Sequence, residues 1–409
     1  MDAVAHFEQS HQGLTPGGEW LDGVRGSGLG ALSTGGFPGR KNEDWKYTNP
    51  GRILGKAWGL PAGSLDVLPA GALCGAHTLV LVDGQVDLAK STLLSRDGVR
   101  LQALGPQDSV GTVLGEPQGF DALTDAFLGG GAAVVVDSGV VVDEPLHIVH
   151  VALGGGTHAA SRVVIRLGRS ASATVVEHWV GLADSLTTAV SEVTLEANAS
   201  LTHVRVQDGD DSAHHVGTVV VHQEADSRFG SHAFTLGGAV GRLDLRSTLA
   251  GSGAEARLWG LYLGAGTGHC DHHTSVVHAM PHTTSFEHYK GVLADKARGV
   301  FTGKIVVEKD AQKISSSQSN DNLLLSDHAI ANTRPQLEIY ADDVQCAHGA
   351  TIGRLDDEAS FYLRQRGLSA DEARGLLTYA FANEVLAALP AGAVRDALEG
   401  RVAAWLDAR

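Results

Sequence analysis

The chain has 409 residues, 43% hydrophobic and only 5% aromatic, and carries 31 Lys and Arg against 47 Asp and Glu, a formal charge of −16. That length can bury a large core in two or three domains, while the acidic balance argues against nucleic acid, whose binders carry a basic footprint. No apolar run is long enough to span a bilayer, the start at Asp2, His6 and Glu8 has no apolar signal segment, and three cysteines, Cys74, Cys270 and Cys346, are too few for a disulfide framework, so a reducing cytoplasm is the expected location.

Residues 1–128 read as a mixed, partly helical region. The first forty are Gly-rich with weak helical patterning, in which Trp20 and Leu21 would dock a short helix. Trp45 and Tyr47 follow on a packed turn. Residues 78–86 form one strand closed by Asp83-Gly84. Residues 119–128 fit a short helix, with Phe120, Leu123 and Phe127 at spacings of three and four.

Residues 129–353 change character. Short Val-rich runs recur, such as Val163-Val164-Ile165 and Val219-Val220-Val221, between turns of small residues. The turns at 169, 197, 225 and 251 each separate two strand-like runs, at steps of 28, 28 and 26 residues. A strand–turn–strand unit at that period cannot bury its apolar face alone and must stack on its neighbours. No helical period interrupts residues 130–320, which excludes alternating βαβ layers. The fold class expected is mainly β: a right-handed parallel β-helix flanked by helical regions at both ends, with a β-sandwich or jelly roll as the alternative.

Residues 354–409 turn helical. Ser369 and Glu372 form a capping box, and Ala373, Leu376, Leu377, Ala380, Phe381, Val385 and Leu389 trace one apolar face up to Pro390. A last amphipathic helix is expected over 394–406.

Three stretches invite chemistry. Histidines crowd residues 269–288, and His269, Cys270, His272 and His273 suggest a metal site. Yet the spacing matches no zinc finger, and strand-rich sequence does not offer two histidines one helical turn apart, so a polar face near a subunit contact is the preferred reading. Cys346 and His348, two apart on an extended chain, share a face. A soft thiolate and an imidazole there could hold one metal, or the pair could be a small core cysteine beside a turn histidine. Residues 299–305 resemble a phosphate loop, but the glycine spacing is one short and Ile305 replaces the hydroxyl that would hold Mg²⁺. A strand is expected instead.

Several strings, in this order, resemble the SufB/SufD family of iron–sulfur cluster assembly scaffolds. They are RKNEDWKYT at 40–48, HYKGVL at 288–293, GVFTGKI at 299–305, the stretch through Cys346-Ala347-His348, and RQRGL at 364–368. The first points to the SufD side of the family. SufB is similar over residues 322–333 but carries a cysteine where this chain has Ala329, and alanine cannot accept sulfur. The resemblance implies the β-helix and a non-catalytic role. It implies pairing with a SufB-like paralogue through the β-helix, and docking of a SufC-like ABC-type ATPase on the C-terminal helices, for which Arg374, Leu377 and Phe381 are candidates. It further implies that Cys346 and His348 lie at the SufB contact and help form a nascent cluster there, with no cofactor held stably by the isolated chain. A homodimer in isolation stays open. A histidine-rich metal-binding solenoid and a carbohydrate-active β-helix enzyme are the rivals, though an enzyme of the latter kind would want clustered carboxylates and aromatic sugar platforms.

Overall fold

The computed structural model describes residues 2–39 and 41–408; Arg40, which opens the motif at 40–48, lies outside the described residues. The chain winds into a parallel β-solenoid of about eight turns built from two ten-stranded sheets. Successive strands alternate between the sheets. The first sheet contains Thr157–Leu167, Ser185–Leu195, His214–Gln223, Val240–Leu249, His269–His278, Arg298–Val307 and Ile330–Ile339. The second contains Leu146–Ala152, Ser172–Gly181, Ser200–Gly209, Arg228–Thr235, Glu255–Gly264, Thr284–Leu293, Ile314–Leu324 and Val344–Gly353.

The repeat seen in the sequence is one corner of this solenoid. Ser170, Asn198, Asp226, Gly253, His282 and Lys313 all sit in the left-handed region, with φ between 58° and 75°. The Ser170 amide donates to Ala197 O, Asn198 to Ala225 O and Asp226 to Ser252 O, at 2.8–3.0 Å, so the corners stack as the strands do. Left-handed backbone favours Gly, Asn and Asp, which is why small and Asx residues recur at this period. His282 and Lys313 occupy later corners that the small-residue pattern did not reveal.

The sheets begin earlier than residue 129. His77–Val82 pairs in parallel with Leu146–Ala152 and turns back through Asp83 and Gly84, both at positive φ, into Gln85–Val86. Val99–Ala103 pairs antiparallel with Leu128–Val136. These antiparallel strands close the N-terminal end of the solenoid. At the other end Ile330–Ile339 and Val344–Gly353 each pair with one strand only, leaving their outer edges bare.

Helices cover both flanks. Glu19–Gly35, longer than the short helix expected, crosses the buried helix Phe120–Ala126 so closely that a Cβ on Gly28 would stand 2.5 Å from Ala126 N. Phe7, Leu32, Trp45, Ile53, Trp58 and Phe120 pack there against Ala160, Leu186, Val216 and Val240 of the first sheet. On the second sheet, Ala382, Val385, Leu386, Leu398 and Val402 cover Val176, Val204, Phe234, Leu261 and Val292. These come from Ala370–Leu386, which opens with the Ser369/Glu372 capping box, and Ala393–Asp407. Each fully buried aliphatic or aromatic side chain contributes about 1.5–3 kcal/mol. The C-terminal helices therefore lie along the flank and leave the last coil uncapped.

Candidate functional site at the open end of the solenoid

The last strand, Val344–Gly353, carries both Cys346 and His348. Its register aligns Cys346 with Ser316 and His348 with Gln318, both buried inside the solenoid. Strand alternation thus aims the thiol and the imidazole toward the interior, but among the described residues no further coil covers them. Cys346 is half-buried beside Ile305, Val307, Ile314, Leu337 and Val344. Burial raises its thiol above the usual range. His348 is exposed. Around this mouth Ile330, Ile339, Tyr340 and Ile352 are exposed as well. An open sheet edge with exposed large apolar side chains is a template for pairing with another chain.

The histidine-rich strand is arranged differently. Alternation splits His269–His278 between two surfaces. Cys270 and His272 face inward: Cys270 packs with Tyr262 and Leu293, and its thiol is pushed up to about 12 by burial. His272 Nε2 meets Thr235 Oγ1 at 2.9 Å. His269, Asp271 and His273 face outward, under the N-terminal motif. Thr48 Oγ1 donates to Asp271 Oδ2 at 2.5 Å and meets His269 Nε2 at 2.8 Å. Arg242 pairs with Asp271 and stacks over Trp45 at 4.1 Å. His273 lies 3.5 Å from both Asp44 and Asp244; hydrogen bonds to these two carboxylates outweigh desolvation and push it up to about 9. The four metal candidates are therefore split two and two between opposite faces. Among the described residues no group of three or more His, Cys, Asp or Glu is placed to hold a metal ion. The residues of the motif at 41–48 instead lock the N-terminal region to this strand. Residues 299–305 lie within the strand Arg298–Val307, and Lys304 reaches Glu338 at 2.9 Å.

On the C-terminal flank, Asp357–Gln365 and Ala370–Leu386 enclose a groove of about 1020 Å³. Phe361, Tyr362, Leu376, Leu377 and Ala380 form its apolar wall, and Asp356, Asp357 and Glu358 its acidic end. Leu377 lines the groove. Arg374 is half-buried nearby, and Phe381 turns instead to the solenoid, where the Lys290 ammonium lies 4.2 Å from its ring centre and bonds Glu384 at 2.6 Å. The exposed aromatics Phe361 and Tyr362 were missed in the sequence. No helix of the described chain is long and apolar enough to cross a membrane.

Comparison with known proteins adds the following. A family model described as "SUF system FeS cluster assembly, SufBD core domain" matches residues 150–381, from within the solenoid's early coils into helix Ala370–Leu386. Over 87% of its length the chain is 33% identical to the iron–sulfur cluster assembly protein SufD of Escherichia coli (strain K12), covering 86% of that protein. Over 90% of its length it is 29% identical to an iron–sulfur cluster assembly SufBD family protein of Synechocystis sp., covering 87% of it.

Proposed function

Because the chain belongs to the SufBD family of iron–sulfur cluster assembly proteins and is SufD-like, we propose that it is a non-catalytic scaffold subunit. It pairs with a SufB-like paralogue through the open end of the solenoid and binds a SufC-like ABC-type ATPase through the groove between its C-terminal helices. One observation carries this reading: among the described residues, the strand at the second sheet's C-terminal end pairs on one side only and carries Cys346 and His348.

The cluster is cargo. His348 stands exposed at the mouth, where a ring nitrogen can reach iron. The Cys346 thiol, raised by burial, must first lose its proton, so iron binding there releases one. His348 is the leading donor and Cys346 the second. The apolar groove suits an amphipathic element of the ATPase, and its acidic end favours a basic one. ATP-driven pairing of two ATPase subunits would shift the contact at the open end and expose the pair.

The test is co-expression with a SufB-like and a SufC-like protein. The reading expects a ternary complex, loss of the paralogue on changing Ile352 and Tyr340 to Asp, and loss of the ATPase alone on changing Phe361 and Leu376 to Ser. Retention of both partners by both double variants would overturn it. A metal-binding role for the isolated chain would show instead as stoichiometric metal in the purified protein.

A further inference from the structure

Beneath His348, the last three coils hold buried polar atoms with no hydrogen-bond partner. Glu287 pairs in register with Gln318, and Gln318 with His348, so the three stand in one column of the second sheet. Glu287 is fully buried and Gln318 is 1% exposed. Thr274 Oγ1 donates to Glu287 Oε2 at 2.6 Å, yet among the described residues Glu287 Oε1 has no hydrogen-bond partner, and neither does either atom of the Gln318 amide. Buried polar atoms are nearly always paired, because an orphan loses its water without gaining a partner. Three orphans in one column call for one cause.

The packing around them is specific. Gln318 reaches across the solenoid to Gly303, where a Cβ would lie within van der Waals overlap of the amide nitrogen. Any side chain at 303 would displace that amide. Tyr289, tilted at 35° against Phe301 with ring centroids 4.9 Å apart, is buried beside the column. The amide faces the Glu287 carboxyl, and the register sets residue 318 directly below residue 348.

We propose that Glu287 and Gln318 are positioning residues for His348. Gln318 Nε2–H donates to Glu287 Oε1, and Gln318 Oε1 accepts Nδ1–H of His348, which leaves the Nε2 lone pair directed out of the mouth. This chain uses each orphan atom once. Adjacent strands lie about 4.7–4.9 Å apart, a gap that a side-chain hydrogen bond of about 2.9 Å spans. Burial pushes Glu287 up to about 7, and its oxygen can accept from an amide whether the carboxyl is ionised or neutral. The same logic orients metal-bound histidines, whose second ring nitrogen is fixed by an outer partner. The inference rests on the reading of His348 as a ligand donor but is tested apart from it.

The full chain, labelled with ¹⁵N-histidine, reports the His348 tautomer by NMR, with His348→Ala assigning the signal. The expected wild-type form is Nδ1–H, the one a free imidazole disfavours. Gln318→Met and Glu287→Met should both return His348 to the Nε2–H form, whereas Glu287→Gln, which keeps an acceptor, should hold Nδ1–H. A wild-type His348 already in the Nε2–H form, or one unchanged across the series, overturns the proposal. Should Gln318→Met fail to fold, the wild-type spectrum and the Glu287 pair still decide it. In the assembled complex, Gln318→Met should weaken iron retention by about 10-fold or more. Normal cluster content in His348→Ala would remove the ligand role while leaving the tautomer result standing.

Discussion

Cys346 and His348 share a strand face, yet their surroundings make them unequal. The thiol sits half-buried among aliphatic side chains, which raises its pKa, while the imidazole is exposed at the mouth. In the complex, His348→Ala should lower cluster content at least as much as the roughly 10-fold that loss of a ligand's outer partner costs. Cys346→Ser should be milder, and iron and sulfide analysis of the purified complexes would show equal losses if this ranking were wrong. Glu287 gives a pH signature of its own. Its folded value of about 7 lies above the ordinary carboxyl value, so the folded state holds a proton that the unfolded state has lost between about pH 4.5 and 7. Its contribution is fully present below that window and declines as pH rises through it, by up to about 3 kcal/mol. Glu287→Gln should therefore gain stability relative to wild type between pH 5 and pH 8, measured by urea unfolding. A difference independent of pH would mean the carboxyl titrates normally.

At the scale of elements, the corners and the C-terminal helices behave as separate devices. Asn198 holds φ of 61° at an exposed corner. Asn198→Val should cost about 1–2 kcal/mol, the penalty of left-handed backbone for a residue with a branched Cβ, whereas Asn198→Gly should be near neutral; equal costs would show that the corner tolerates any residue. In helix Ala370–Leu386, Leu377 and Leu386 separate stability from docking. Leu386 is fully buried against the second sheet, so Leu386→Asp buries an unpaired charge and should cost several kcal/mol, at least about 3. Leu377 lines the open groove, where an aspartate reaches water. Leu377→Asp should leave the melting temperature nearly unchanged while weakening ATPase capture. A large stability loss at Leu377, with binding intact, would assign the groove to packing alone.

Across the whole molecule, buried histidines are held neutral, with His273 between its two carboxylates as the opposite case. Burial lowers His150 and His158 to about 3 and His232, His269, His272 and His278 to about 4. In the unfolded chain each would take a proton near pH 6.5. The unfolded state then binds more protons than the folded state below that pH, so stability is lost as pH falls through 6.5 toward 4. Six such groups together should make unfolding set in between about pH 6 and 5, earlier than carboxylate protonation would bring it about. Circular dichroism across that range checks it; a fold intact at pH 4 would mean these histidines charge in place.

The amino-acid sequence by itself determined the coil. Val-rich runs, small residues at a 28-residue step and the absence of helical period fix strand, corner and stacking, because local backbone preference and one-dimensional periodicity are read along the chain. The capping box at Ser369 and Glu372 and the strand at residues 299–305 were legible for the same reason. Tertiary structure alone decided what meets across the solenoid. Alternation put Cys346 and His348 on one face, but only the stacking showed that no coil lies beyond them. It also put His269 and His272 on opposite faces, with the N-terminal motif over one, and it stood Glu287 and Gln318 beneath His348 from strands some thirty residues apart. That column depends on register between coils, and register is set by corner lengths and packing summed over the fold, a property no window of sequence contains.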